Sequence, residues 1–138
     1  MDNSQALVGR LTRDPELRFT PSGDAVVNFS IANNKRWQDR VTKEWKEQTS
    51  FFDIVAWREL AEHISDSLGK GNEVMVFGRL EQSTWEEQDG TKRSKVTIAA
   101  DHVGPSLRAQ TAQVAKVEHT KTGEQAAAAP ADDSGEPF

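Results

Sequence analysis

Apolar residues before residue 110 come in short blocks that end at turn residues, and this pattern allows few folds. In the block AVVNFSIAN, the large apolar residues Val27, Phe29 and Ile31 alternate with polar or small ones. A period of two is typical of a β-strand with one buried face. The sequence therefore predicts a strand over residues 25–33 and a fold built mainly from strands.

Four further segments carry strand signals. The segment at 49–57, TSFFDIVAW, is apolar on both faces, as expected for a central strand or one that faces another subunit. The segments at 72–85 and 92–101 are joined through Asp89-Gly90, a dipeptide that favours a tight hairpin. Proline and glycine over residues 14–24 predict turns there. The four segments span residues 6–12, 49–57, 72–85 and 92–101.

One segment, residues 58–71, has the period of a helix instead. Leu60, Ala61, Ile64 and Leu68 fall on one helical face, and two glycines follow as a C-terminal cap. Three strands, a helix and two strands predict an all-β protein with one helix: a five-stranded Greek-key barrel of the OB type, with the helix closing one end. An α+β sandwich of the same elements is the alternative.

The composition changes near residue 110 and predicts two regions. Residues 111–138 contain four consecutive alanines, two glycines and two prolines, but only three large apolar residues. Such a segment buries too little apolar surface to offset the entropy lost on ordering. We therefore expect a folded domain over residues 1–110 and a disordered, acidic tail over residues 111–138.

Several function classes find no support in the sequence. There is no cysteine, and His63, His102 and His119 have no metal-ligand spacing, so we expect no metal site. Neither a phosphate-binding glycine loop nor a nucleophile elbow is present. The sequence predicts a protein that is not an enzyme and has no cofactor. No signal peptide or membrane span is recognisable, which predicts a soluble, cytoplasmic protein.

Charge and aromatic residues point to a local binding patch. The net charge is −5, which as a global property argues against nucleic acid. Residues 35–46, however, hold five bases against two acids, together with Trp37 and Trp45. Indoles that stack on bases and cations that contact phosphates are how proteins hold single-stranded nucleic acid. We expect phosphate contacts on the loop between the second and third strands, from Lys35, Arg36, Arg40, Lys43 and Lys46. Lys70, outside this loop, is a further expected phosphate contact.

The remaining aromatic residues divide between core and surface. Phe19, Phe29 and Phe77 lie in apolar strand patterns or beside turns, where we expect core. Phe51 and Trp57 share one face of the third predicted strand, and only one face of that strand can fill a barrel. Apolar residues of this strand, Phe52, Ile54 and Val55, therefore predict surface buried between subunits.

Three stretches also resemble a known family. LVGRLTRDPELRFTPSGDAVVNFSIA, KEQTSFFDIVAWRELAE and LGKGNEVMVFGRLEQSTW are similar to segments of the bacterial single-stranded DNA-binding proteins, over about residues 1–105. The resemblance implies an OB fold, a homotetramer and a role in replication, recombination and repair. It also implies base stacking on four aromatic residues: Trp37, Phe51, Trp57 and Trp85.

The resemblance extends to the end of the sequence. The family ends in an acidic stretch and Pro-Phe, which docks replication and repair proteins through the phenyl ring and the carboxylate. The matching residues here are Asp132, Asp133, Glu136, Pro137 and Phe138.

The sequence also departs from the family pattern. Asp53, Glu59, Ser83 and Thr84 stand where relatives often carry bases, which indicates weaker or more salt-sensitive binding. An auxiliary paralogue or a phage-encoded version fits this difference. The alternative function is an OB-type, primosome-like accessory module whose aromatic residues meet a protein.

Overall fold

A computed structural model describes residues 3–117 of the chain. Six strands and one helix follow one another in the order four strands, helix, two strands. The elements are β1 (Gln5–Leu11), β2 (Glu16–Phe19), β3 (Ala25–Gln38), β4 (Trp45–Trp57), α1 (Arg58–Ser67), β5 (Glu73–Glu86) and β6 (Lys92–Pro105).

The strands form a closed barrel. Their order is β1-β5-β6-β4-β3-β2, and a second pairing between β1 and β3 closes the sheet on itself, with Leu11 opposite Ile31. All pairings are antiparallel except that of β4 with β6. Five strands thus make the barrel and short β2 extends it beside β3, which confirms the predicted OB-type architecture.

The barrel is filled by the residues that the alternation singles out. Val27, Phe29 and Ile31 of β3 are fully buried, as the period-two pattern predicts. Helix α1 packs Ala61 and Ile64 against the same core, so the predicted apolar face of the helix is confirmed. The remaining members of the core cluster are Leu11, Ala25, Ile54, Ala56, Val74, Val76 and Ile98.

The prediction that β4 offers Phe52 and Ile54 to another subunit is wrong. Ile54 is buried inside the barrel of the single chain, and Phe52 packs against the same cluster. Both residues point inward because they alternate with Phe51 and Trp57, which point outward.

Three other expectations need correction. Residues 16–19 form β2, where turns alone were predicted, because the turn at 20–24 folds them back onto β3. Helix α1 ends at Ser67 rather than at residue 71, and Gly71 (φ 89°) belongs to the turn before β5. Phe19 and Phe77 were predicted to be core residues, but their side chains are 62% and 50% exposed, since both lie on outward-facing strand positions.

Two long hairpins extend from one end of the barrel. β3 and β4 remain paired from the core out to Gln38 and Trp45, and β5 and β6 remain paired out to Glu86 and Lys92. Because β4 and β6 run parallel, with Ile54 beside Ile98, both hairpins project in the same direction. Helix α1, which follows the end of β4, lies at the opposite end.

Candidate nucleic-acid interface

The outward face of β4 carries a row of exposed aromatic residues. Phe51 and Trp57 are 66% and 47% exposed, whereas their neighbours Ile54 and Ala56 are buried. Side chains alternate along a strand, so positions 45, 51 and 57 share one face. Trp45, 60% exposed, therefore extends this row onto the hairpin beyond the barrel.

Trp85 lies on the neighbouring hairpin and faces the same way. It stands opposite Arg93, and two residues earlier Ser83 stands opposite Lys95. Residues directly opposite each other in an antiparallel pair share a face. The Lys95 ammonium forms an ion pair with the Asp53 carboxylate at 3.1 Å, which joins this face to the row on β4. Trp85 and the β4 row thus belong to one continuous surface.

Trp37 is on the other face of the β3–β4 hairpin. Its partner in the ladder is Lys46, whereas the partner of Trp45 is Gln38. The Lys35 ammonium lies 5.9 Å from the centre of the Trp37 ring, and the Arg36 guanidinium lies 4.9 Å from that of Trp45. Each face of the hairpin therefore presents one indole with one cation over it.

The segment predicted to be a long loop is mostly strand. β3 extends to Gln38 and β4 begins at Trp45, so Lys35, Arg36 and Lys46 are strand residues. The composition of this segment is polar because neither face of the hairpin touches the core at this distance from the barrel. Only the tip, which contains Arg40 and Lys43, is a turn.

Asp39 organises the tip of this hairpin. Its carboxylate accepts hydrogen bonds from the backbone N–H groups of Val41 and Thr42 at 2.8 and 3.1 Å, and pairs with the Lys46 ammonium at 3.2 Å. The pKa of Asp39 is lowered below its usual value. The largest cause is the hydrogen bond from the backbone N–H of Thr42, followed by those from the backbone N–H of Val41 and from the Lys46 ammonium. The turn is therefore stabilised above the unfolded-state pKa of Asp39, and this stabilisation is lost as the pH falls through the lower folded-state pKa.

Lys70 is not brought together with the other predicted phosphate contacts. It lies between α1 and β5, at the end of the barrel away from both hairpin tips, and its backbone N–H donates to the Asp14 carboxylate at 2.8 Å. Lys70 was predicted as a phosphate contact outside the β3–β4 segment, and the structure places it far from the aromatic residues of the two hairpins.

The predicted tail docking residues, 132–138, lie outside the described residues, and so does most of the predicted tail. Its first part, residues 111–117, follows β6 without helix or strand. Among residues 3–117, no group of three or more His, Cys, Asp or Glu side chains is placed to hold a metal ion. The described part of the chain contains no helix with the length and apolar character of a membrane span.

Two bases of the site, Arg93 and Lys95, were missed by sequence reasoning. They lie in KRSKVTIAAD, which reads as an ordinary amphipathic strand. The Asp-Gly turn at 89–90 could have predicted them, because a hairpin that folds back at this turn places Arg93 opposite Trp85.

The fold and this surface define an OB-fold protein whose exposed aromatic and basic side chains are arranged as in oligonucleotide-binding modules. The chain matches the model of the single-strand binding protein family over residues 2–106. The chain therefore belongs to the single-strand binding protein family.

Relatives and a solved structure support the same assignment. The chain is 48% identical over 116 residues to the single-stranded DNA-binding protein of Mycobacterium tuberculosis, covering 83% of this chain and 71% of the relative. It is 48% identical over 111 residues to single-stranded DNA-binding protein 2 of Streptomyces coelicolor, covering 80% and 56%. The structure is similar to that of the Plasmodium falciparum SSB complex with ssDNA, with a TM-score of 0.70, 28% identity, and coverage of 75% of this chain and 94% of the other.

Proposed function

We propose that this protein binds single-stranded DNA independently of sequence and performs no catalytic step. The observation that carries the proposal is the pair of parallel-projecting hairpins with exposed indoles, two of them with a cation over the ring. The relatives named above are single-stranded DNA-binding proteins, which supports the same ligand for this chain.

The chemistry of the surface suits a single strand rather than a duplex. An indole stacks on any unpaired base because every base has a π-face, and each such contact is worth roughly 1–3 kcal/mol. The bases of duplex DNA are already stacked and paired, so these side chains could not reach their faces. Trp37, Phe51, Trp57 and Trp85 are the proposed stacking residues, and Lys35, Arg36, Arg40, Lys43 and Lys46 the proposed phosphate contacts.

Titration of the intrinsic tryptophan fluorescence with dT oligomers of increasing length tests the proposal. Stacked bases quench indole emission, so we expect strong quenching that saturates at a defined oligomer length. A duplex of equal length is the matched control and should quench little. Absence of quenching by oligo-dT at low salt would favour the second candidate, an OB-type protein-interaction module that meets a protein through the same aromatic residues.

We also propose that the chain assembles into a homotetramer. An apolar patch on the outer face of β1 and β5 supports this: Val8 stands opposite Met75, and Ala6 opposite Phe77, with all four side chains exposed. Within the described residues, β1 pairs with β3 only at Arg10 and Leu11, and the Asn33 amide donates to the Val8 carbonyl at 2.7 Å, so the edge before Val8 has no strand partner and is available to a second copy. A closed dimer of dimers is the expected symmetry.

The cellular role proposed is protection of single-stranded DNA in replication, recombination and repair, with the end of the sequence recruiting other proteins. The proposed docking chemistry is a phenyl ring in an apolar pocket of the partner, with acids that steer it towards a basic rim. The residues concerned are Asp132, Asp133, Glu136, Pro137 and Phe138. Deleting residues 132–138 should leave affinity for oligo-dT equal or slightly higher and abolish binding to a cognate helicase or repair protein. Unchanged partner binding, measured by anisotropy, would contradict the docking role.

A further inference from the structure

An ion pair lies between the aromatic residues of the proposed DNA surface. The Lys95 ammonium of β6 and the Asp53 carboxylate of β4 are 3.1 Å apart, and each side chain is about half exposed. Asp53 is two residues from Phe51 on the outward face of β4, and Lys95 is two residues from Arg93, the partner of Trp85. A strand of DNA that crosses from the β4 row to Trp85 therefore passes this pair.

Other bases of β5 and β6 are also held by carboxylates. Arg93 pairs with Glu87 at 3.4 Å, and Arg79 pairs with Glu81 at 3.2 Å and with Asp101 at 3.4 Å. The β3–β4 hairpin differs in part: Lys46 pairs with Asp39 at 3.2 Å, but Lys35 and Arg36 lie over indoles and have no ion pair within residues 3–117. The two hairpins thus offer the same kinds of side chain but different access to the cations.

We propose that Lys95 is a further phosphate-contacting residue of this protein and that the Asp53 carboxylate competes with DNA for it. The inference rests on the proposed function, since it concerns how single-stranded DNA is held on the same surface. Asp53 then sets the affinity and the salt dependence of binding, and does so through Lys95.

DNA phosphates carry condensed counterions, and a protein cation that has no carboxylate partner gains affinity by releasing them when it contacts the phosphates. Lys95 instead exchanges a carboxylate for a phosphate, while Asp53 remains within reach and repels the same phosphate. The contact then adds little to affinity. Both side chains are exposed, and exposed ion pairs contribute little to folding stability, so the pair can be separated without loss of the fold.

The test compares charge changes at matched positions. Binding of a 5′-labelled dT oligomer is followed by anisotropy over a series of NaCl concentrations for the full chain, Asp53→Asn, Lys95→Gln and the double variant. Glu62→Gln is the control, because it makes the same charge change on an exposed residue of α1, at the other end of the barrel. Thermal unfolding of each variant verifies the fold, and Asp53→Ser repeats the test with a smaller side chain.

We expect Asp53→Asn to increase the magnitude of the logarithmic salt slope by about 0.7 and to tighten binding about fivefold to tenfold at about 50 mM NaCl. Glu62→Gln should change affinity less than about twofold, because salt screens distant charges. In the unmodified chain, Lys95→Gln should reduce the magnitude of the slope by less than about 0.7, because Asp53 already competes for the ammonium. The double variant should have the slope of Lys95→Gln alone, since the effect of Asp53 passes through Lys95.

Two results would overturn the inference while leaving the proposed function intact. One is an Asp53→Asn protein that binds like Glu62→Gln. The other is a gain that persists in full in the double variant, which would mean that Asp53 repels phosphate directly. If the unmodified chain fails to bind oligo-dT at low salt, the proposed function and this inference both fail.

Discussion

Trp37 and Trp45 lie on opposite faces of the β3–β4 hairpin, although both belong to the same short basic segment. Trp37 is paired with Lys46, and Trp45 with Gln38, so the two indoles point in opposite directions. Each has its own cation, Lys35 at 5.9 Å and Arg36 at 4.9 Å from the ring centre. A single strand of DNA cannot stack on both indoles along one straight path, and the hairpin can therefore be contacted from either side.

The stacking role predicts the cost of removing an exposed indole. Trp37→Ala and Trp85→Ala should each weaken binding to oligo-dT by roughly 1–3 kcal/mol, and the double variant should lose nearly the sum, since the two are on separate hairpins. Fluorescence anisotropy of a labelled oligomer measures this. Trp→Phe at each position is the control and should retain part of the affinity because a π-face remains. Loss of the folded state in either alanine variant would show that the indole is structural.

A phosphate contact at the hairpin tip predicts a different signature. Lys43 has a left-handed backbone (φ 62°), which asparagine tolerates better than alanine, so Lys43→Asn removes the charge with the least disturbance of the turn. It should weaken binding equally for all sequences and reduce the magnitude of the salt slope by about 0.7. Lys43→Arg is the control and should keep the slope. A slope unaltered in Lys43→Asn would remove Lys43 from the site.

The apolar patch on β1 and β5 predicts the oligomeric state. Light scattering should give a particle of about four times the 15.3 kDa chain mass. Phe77→Asp should reduce that mass, because a carboxylate cannot be buried in an apolar interface without a partner. Phe19→Asp is the matched control, since Phe19 is equally an exposed phenylalanine but lies on β2, away from the patch. A particle of one chain mass for the unmodified protein would rule out the proposed assembly.

The Ala99 backbone passes close to Gly78, so a side chain at position 78 should destabilise the fold. A Cβ there would collide with the backbone carbonyl of Ala99 at the irregularity between Phe77 and Gly78, where β5 meets β6. Gly78→Ala should therefore lower the free energy of unfolding by roughly 1–3 kcal/mol or more, measured by urea denaturation. Gly104→Ala, on β6, is the control because a Cβ there meets nothing within 4 Å. Equal stability of the two variants would contradict a close approach of the Ala99 backbone to Gly78.

Much of the fold could be predicted because its signals are local. Val27, Phe29 and Ile31 alternate with polar residues, and each is buried where the alternation puts it. The prediction failed for Phe19 and Phe77, which carry the same local signal but lie on outward faces. An apolar residue on a strand is equally compatible with a core and with an exposed patch, and only the packing of the other strands separates the two.

The candidate site also has features that local sequence predicts and features that depend on the tertiary structure. The amino-acid sequence by itself determined that the chain forms mainly strands with one helix before the last two, and that indoles and cations are concentrated between residues 35 and 46, since periodicity and composition act within a few residues. Only the tertiary structure decided that Trp37 and Trp45 face apart, that Lys70 lies at the far end, and that Asp53 meets Lys95. These depend on ladder register and on the parallel pairing of β4 with β6. Such pairing joins residues far apart in the chain, and it is set by how the whole barrel closes around its core.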